Sequence, residues 1–139
     1  MPSGTIRRVG RVLIVDDELL LAESLRCILA DEFEVTATSA PSLALAWLTS
    51  GDWYDVILCD VMMPGMNGVE LRAQVERAVP ELAARFVFMT GGILLPEVQV
   101  LLDQTPSIVL AKPFDYGALR ELIRRRVLGQ PPRRQASRG

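Results

Sequence analysis

Residues 56–68 read VILCDVMMPGMNG. Four apolar residues in unbroken succession, 56–59, end on a carboxylate at Asp60, and the chain then passes through two turn signals, Pro64-Gly65 and Asn67-Gly68. An apolar run without alternation fits a strand covered on both faces, the usual state of a parallel sheet flanked by helices. An Asp ending such a strand must be solvated, paired or bound to metal, because an unpaired buried carboxylate is costly. A turn-initiating Asp is the bland alternative. Only partners elsewhere in the chain can decide between them.

Working outward, strand-like and helix-like patterns alternate. Residues 11–15, RVLIV, form a β-branched run ending at Asp16-Asp17, and Leu21, Ala22, Leu25, Ile28 and Leu29 then recur at helical spacing, which predicts a helix over 18–31. A weaker strand follows at 33–38, then a helix marked by Leu43, Ala44, Trp47 and Leu48 with Pro41 near its first turn, where a missing N–H costs little. Beyond the strand at 54–59, Leu71, Val75, Ala78 and Val79 define a third helix, 85–89 a fourth strand, 96–103 a fourth helix and 107–111 a fifth strand. Leu119, Leu122, Ile123 and Val127 give the last helix, with Asp115 as its candidate cap. Five strand–helix units imply an α/β fold, a parallel sheet with helices on both faces. The right-handed crossover rule then puts every strand's carboxyl end on one edge, where open α/β sheets bind ligands. That edge receives Asp16 and Asp17, Asp60, Thr90 and Lys112. Asp60 therefore has partners.

The 139 residues are 50% hydrophobic and 23% charged, as in a soluble globular domain with a real core. We divide them into an extension at 1–10, a globular unit at 11–128 and a Pro/Arg-rich tail at 129–139 that reads as disordered. No apolar stretch is long enough to span a bilayer or serve as a secretory signal, so a cytoplasmic protein is expected. Cys27 and Cys59 lie in apolar segments and read as buried, reduced thiols. There is no histidine, which removes the commonest general base and metal ligand. Setting aside Arg133, Arg134 and Arg138 of the tail moves the net charge from −2 to −5, and so acidic a body has no footprint for direct nucleic-acid binding.

Three carboxylates cannot stay ionised and adjacent without a counter-charge. A hard divalent cation such as Mg²⁺ supplies it, keeping positions open for water or phosphate oxygens. Thr90 and Lys112 add a donor and a cation suited to a phosphoryl group, and a carboxylate acceptor needs no general base. The set therefore suits phosphoryl transfer to an Asp by positioning and electrostatics.

On the motifs VLIVDDE (Asp16, Asp17), CDVMMPGMNG (Asp60), FMTGG (Thr90) and AKPF (Lys112), the chain resembles the response regulator receiver domains of two-component signalling, over about residues 12–127. The resemblance implies a flavodoxin-like, doubly wound five-stranded sheet of order 2-1-3-4-5, with Asp60 as phosphoacceptor and Thr90 and Lys112 assisting. It implies that Asp17, Asp60 and the carbonyl of Met62 bind Mg²⁺ directly and Asp16 mainly through water, and that Lys112-Pro113 is cis. The implied partner is a sensor histidine kinase or a histidine phosphotransfer protein, with a homodimer also allowed. One departure is Val109, where many receivers carry an aromatic residue that moves with the hydroxyl; this residue and the MTGG turn resemble receivers attached to hybrid sensor kinases. The positions flanking water's approach to the phosphorus are Met62 and Gly92, neither able to hold that water, which implies slow self-dephosphorylation.

Blander readings exist for each residue. Asp16-Asp17 could cap a helix, Thr90 could be a strand-end hydroxyl, Lys112 a surface charge, and Met62, Met63 and Met66 loop packing. Trp47 and Trp53 read as packing near the second helix, and Arg124, Arg125 and Arg126 as a solvated helix end. Among rival functions, a haloacid-dehalogenase-like phosphatase wants a second Asp where Met62 stands, and a nucleotide-binding protein wants glycines where DDELLL follows the first strand. A receiver-like interaction module without phosphoryl turnover usually lacks the acceptor, acidic pair or lysine, and all are present.

Overall fold

The computed structural model describes residues 10–129. Its elements run β1 (Arg11–Val15), α1 (Leu19–Leu29), β2 (Glu34–Thr38), α2 (Pro41–Thr49), β3 (Val56–Asp60), α3 (Gly68–Ala78), α4 (Pro80–Ala83), β4 (Phe86–Thr90), α5 (Pro96–Asp103), β5 (Ile108–Ala111) and α6 (Tyr116–Leu128). The five strands form one parallel sheet in the order β2-β1-β3-β4-β5. This is the expected flavodoxin-like order. The expected tail lies almost wholly outside the described residues, as does the N-terminal extension.

The sheet's alternation of side chains divides the core in two. Leu13, Val15, Ile57, Cys59, Phe86 and Phe88 point to one face and pack under α2, α3, α4 and α5. Val12, Ile14, Val56, Leu58, Val87 and Met89 point to the other, under α1 and α6. Consecutive residues of β1, β3 and β4 thus serve opposite layers, which is why their sequences show no apolar/polar alternation.

Several boundaries differ from the sequence reading. β3 starts at Val56 because Tyr54 and Asp55 belong to the turn before it, where the Asp55 carboxylate accepts from the Arg11 amide at 2.9 Å and the Asp55 amide donates to the Arg11 carbonyl at 2.8 Å. The short α4 was not foreseen, although Pro80 opens it at a position where proline is favoured. Cys27 is a correction. It is exposed, because α1 turns Ala22, Leu25 and Leu29 inward and position 27 falls on the opposite side; Cys59 is buried as expected. Trp47, Trp53, Met62 and Met66 pack against the first core cluster, and Met63 is buried within it. Arg124 and Arg125 are exposed as read, but Arg126 is partly buried and donates to the Ala84 carbonyl at 3.1 Å, and Arg124 and Arg120 also pair with Glu32, tying α6 to the α1–β2 turn.

Candidate functional site

β1, β3, β4 and β5 deliver Asp16, Asp60, Thr90 and Lys112 to one sheet edge, each at or just beyond a strand's last residue. All four line a single cavity of about 620 Å³. Asp16 is almost fully buried, and its carboxylate is held from two sides: the Glu18 amide donates to Oδ1 at 3.0 Å and the Lys112 ammonium to Oδ2 at 3.0 Å. Lys112 Nζ also lies 3.6 Å from Asp60 Oδ2. The Met62 amide approaches Asp60 Oδ1 at 3.4 Å. Thr90 donates to the Gly92 carbonyl at 3.4 Å, so its hydroxyl is turned along its own loop. The Lys112-Pro113 bond is cis, as the resemblance implied.

The loop after β3 is shaped by two glycines. Gly65 has φ +82°, open to glycine at little cost. Gly68 carries α3 directly against the acceptor strand: a Cβ there would stand 2.4 Å from the Asp60 carbonyl oxygen. The Asn67-Gly68 pair, read as a turn from sequence, is the start of α3. Asn67 caps it by accepting from the Glu70 amide at 2.8 Å, while Glu70 accepts from the Asn67 amide at 2.9 Å.

Electrostatically the site is strained toward protonation. Burial pushes the Asp60 carboxyl up; Lys112 opposes this, Asp16 adds to it, the Met62 amide opposes it and Asp17 adds to it, leaving the group at about 6. Burial works to lower the Lys112 ammonium, but the hydrogen bond to Asp16 and the charges of Asp60, Asp16 and Glu18 outweigh it and its pKa rises. Cys59, buried below Asp60, is pushed well up by burial and is an inert thiol.

Asp16, Asp17 and Asp60 each offer a carboxylate oxygen, all within 4.8 Å of one another. Asp17 and Asp60 could each offer an oxygen to one Mg²⁺, with Asp16, whose carboxylate is already held by Glu18 and Lys112, near enough to act through water. The donor set is oxygen only and carries excess negative charge, which suits a hard divalent cation. Sequence reasoning found these five polar residues. It missed the apolar walls of the cavity, among them Leu21, Leu25 and Phe114, because on a linear reading they are indistinguishable from core residues.

The arrangement has known counterparts. A family profile described as response regulator receiver domain matches residues 12–124. FleR, a response regulator protein of Pseudomonas aeruginosa, is 31% identical over 124 residues, a match covering 88% of this chain and 26% of FleR, so the chain spans about a quarter of that relative. The CheY-like receiver domain protein from Methanospirillum hungatei JF-1 superposes with TM-score 0.74 at 26% identity, covering 87% of this chain and 95% of that one. The receiver domain of a signal transduction histidine kinase from Syntrophus aciditrophicus does so with TM-score 0.73 at 26% identity, covering 91% and 96%. A CheY-like receiver and the receiver of a histidine kinase are thus similar to this chain to the same degree. With sheet order, cavity residues and profile in agreement, the chain belongs to the response regulator receiver domain family of two-component signalling.

Proposed function

We propose that residues 11–128 form a phosphoacceptor receiver in which Asp60 takes a phosphoryl group from a phosphohistidine of a sensor histidine kinase or histidine phosphotransfer protein, in a Mg²⁺-dependent reaction. The observation that carries this reading is the Lys112 ammonium bridging Asp16 and Asp60 in one cavity, across 96 residues of sequence from Asp16. In the transfer, a carboxylate oxygen of Asp60 bonds to phosphorus as the phosphorus–nitrogen bond to the donor imidazole breaks, and the electron pair leaves on that nitrogen. Asp60 acts as an anion and gives up no proton. Lys112 is placed to follow the charge from the free carboxylate to the phosphoryl oxygens, and Thr90 to donate to one of them once its hydroxyl leaves Gly92. Asp17, Asp60 and the Met62 carbonyl would hold Mg²⁺ directly, with Asp16 through water; the ion would supply positive charge to the phosphoryl oxygens.

Receiver domains are signalling modules, and this one would provide the catalytic groups for its own modification. Met62 and Gly92 offer no group to hold a hydrolytic water, which supports slow loss of the phosphoryl group. Val109, exposed on the edge strand β5, supplies no aromatic ring to carry a movement of Thr90 outward. The reading places the module in the cytoplasm, with a protein partner and no nucleic-acid contact of its own; among the described residues no helix is long and apolar enough to cross a membrane. The test is an intact-mass measurement with acetyl phosphate and Mg²⁺. One phosphoryl group should add to the chain and none to Asp60→Asn; addition to both would refute Asp60 as acceptor.

A further inference from the structure

The Asp60 cavity is more apolar than a phosphoryl group requires. Its volume, about 620 Å³, lies within the range of sites that enclose small organic molecules. Beside the polar floor of Asp16, Asp60, Thr90 and Lys112 stand Leu21 and Leu25 from α1, Met62 after β3, Ile93 and Leu94 after β4, and Phe114 after β5. Gly91 and Gly92 also border it, and a Cβ at Gly92 would meet nothing within 4 Å, so that turn leaves the space open. Leu21 is 37% exposed and Ile93 100% exposed, which puts apolar surface at the mouth.

A donor reacting with Asp60 must direct its leaving group away from the attacking carboxylate, roughly in line through phosphorus. Away from Asp60 the leaving group enters this cavity. The lining acids Asp16, Glu18 and Asp60 outnumber Lys112, so an anionic head would be held by Lys112 only together with a divalent cation, while an apolar body would meet the leucines, Ile93 and Phe114. From this juxtaposition we infer that the Asp60 cleft discriminates among small-molecule phosphodonors in favour of acyl phosphates bearing an aryl or bulky apolar group over acetyl phosphate. The inference rests on the phosphoacceptor reading above. In the step, the bond from phosphorus to the acyl oxygen breaks and its electron pair leaves on the released carboxylate. An Asp60 oxygen bonds to phosphorus. No proton or oxidant is needed.

The experiment compares Asp60 phosphorylation rates with benzoyl phosphate and acetyl phosphate, in Mg²⁺, for the full chain and for a Leu21→Gln/Ile93→Gln double variant. Both side chains are exposed, Leu21 on α1 where Gln is a good helix former and Ile93 in the loop between β4 and α5, so the fold should persist. Comparing the ratio of the two rates between parent and variant cancels the donors' intrinsic reactivities. The benzoyl-to-acetyl ratio should fall about tenfold in the variant, the size expected for losing a modest apolar contact. A binding readout without turnover accompanies it: by amide NMR in MgCl₂, phenylphosphonate should bind the parent about tenfold more tightly than methylphosphonate, with the gap closing in the variant. If both donors label Asp60 and the ratio is unchanged, the selectivity is overturned and the phosphoacceptor reading stands. If neither donor labels Asp60, that reading falls and the selectivity with it.

Discussion

Asp60 is held where its charge is poorly solvated, and Lys112 compensates only in part. Its folded pKa of about 6 lies above the ordinary carboxylate value of 3.8, so between those pH values the folded chain retains a proton that the unfolded chain releases. Stability without metal should therefore fall as pH rises through that window, and the loss is complete above about 6. Asp60→Asn removes this slope. In EDTA at pH 7.5 it should be more stable than the parent by about 1–3 kcal/mol, read from urea unfolding, the upper end corresponding to the whole shift. Equal or lower stability of Asp60→Asn, with the same pH slope as the parent, would show that the carboxylate is not held against its charge. At Met62 the matter is kinetic. Met62→Asn supplies an amide that can orient water toward the phosphorus, and radiolabel should leave Asp60 about tenfold faster without loss of acceptance. Identical decay rates would refute that role.

The element that governs the acceptor is α3. Asn67→Ala removes a capping box on an exposed helix end and should cost about 1 kcal/mol while leaving phosphoryl acceptance intact. Gly68→Ala is different, since its Cβ would meet backbone at 2.4 Å and the clash can be relieved only by moving α3 or the end of β3. It should cost about 2 kcal/mol or more and slow acceptance as well. Comparing urea midpoints and acetyl phosphate labelling in the two variants separates cap from clash; equal effects on labelling would contradict the close approach. Much at this scale was legible in the sequence. The five strand–helix units follow from periodicity, Asp115 caps α6 as expected by accepting from Gly117 at 2.7 Å, and the strand-end acids needed only the crossover rule to be gathered. The capping role of Asn67 was legible in its three-residue spacing from Glu70 and was missed; what was not legible depends on packing across the sheet, namely the inward or outward sense of Cys27 and the apolar side of the cavity.

At the scale of the molecule, the sheet collects on one edge three carboxylates that neither core layer stabilises, and on the proposed reading a cation and a phosphoryl group would complete that edge. Mg²⁺ should raise the melting temperature, since a ligand bound only by the folded state adds about 2.7 kcal/mol at a hundredfold excess over Kd. Asp17→Ala should abolish the rise, and a parent melting temperature unmoved by saturating Mg²⁺ would contradict the shared site. The Glu32 pairs with Arg120 and Arg124 tie α6 to the α1–β2 turn at the opposite end of the strands. The central claim is that Asp60 itself forms the bond to phosphorus. An aspartyl phosphate is reduced by borohydride to homoserine, so the phosphorylated chain can be trapped, digested and sequenced by mass spectrometry. The account predicts homoserine at position 60 and unmodified Asp16 and Asp17; homoserine at either of those two, or a phosphorylated chain with Asp60 intact, would contradict it.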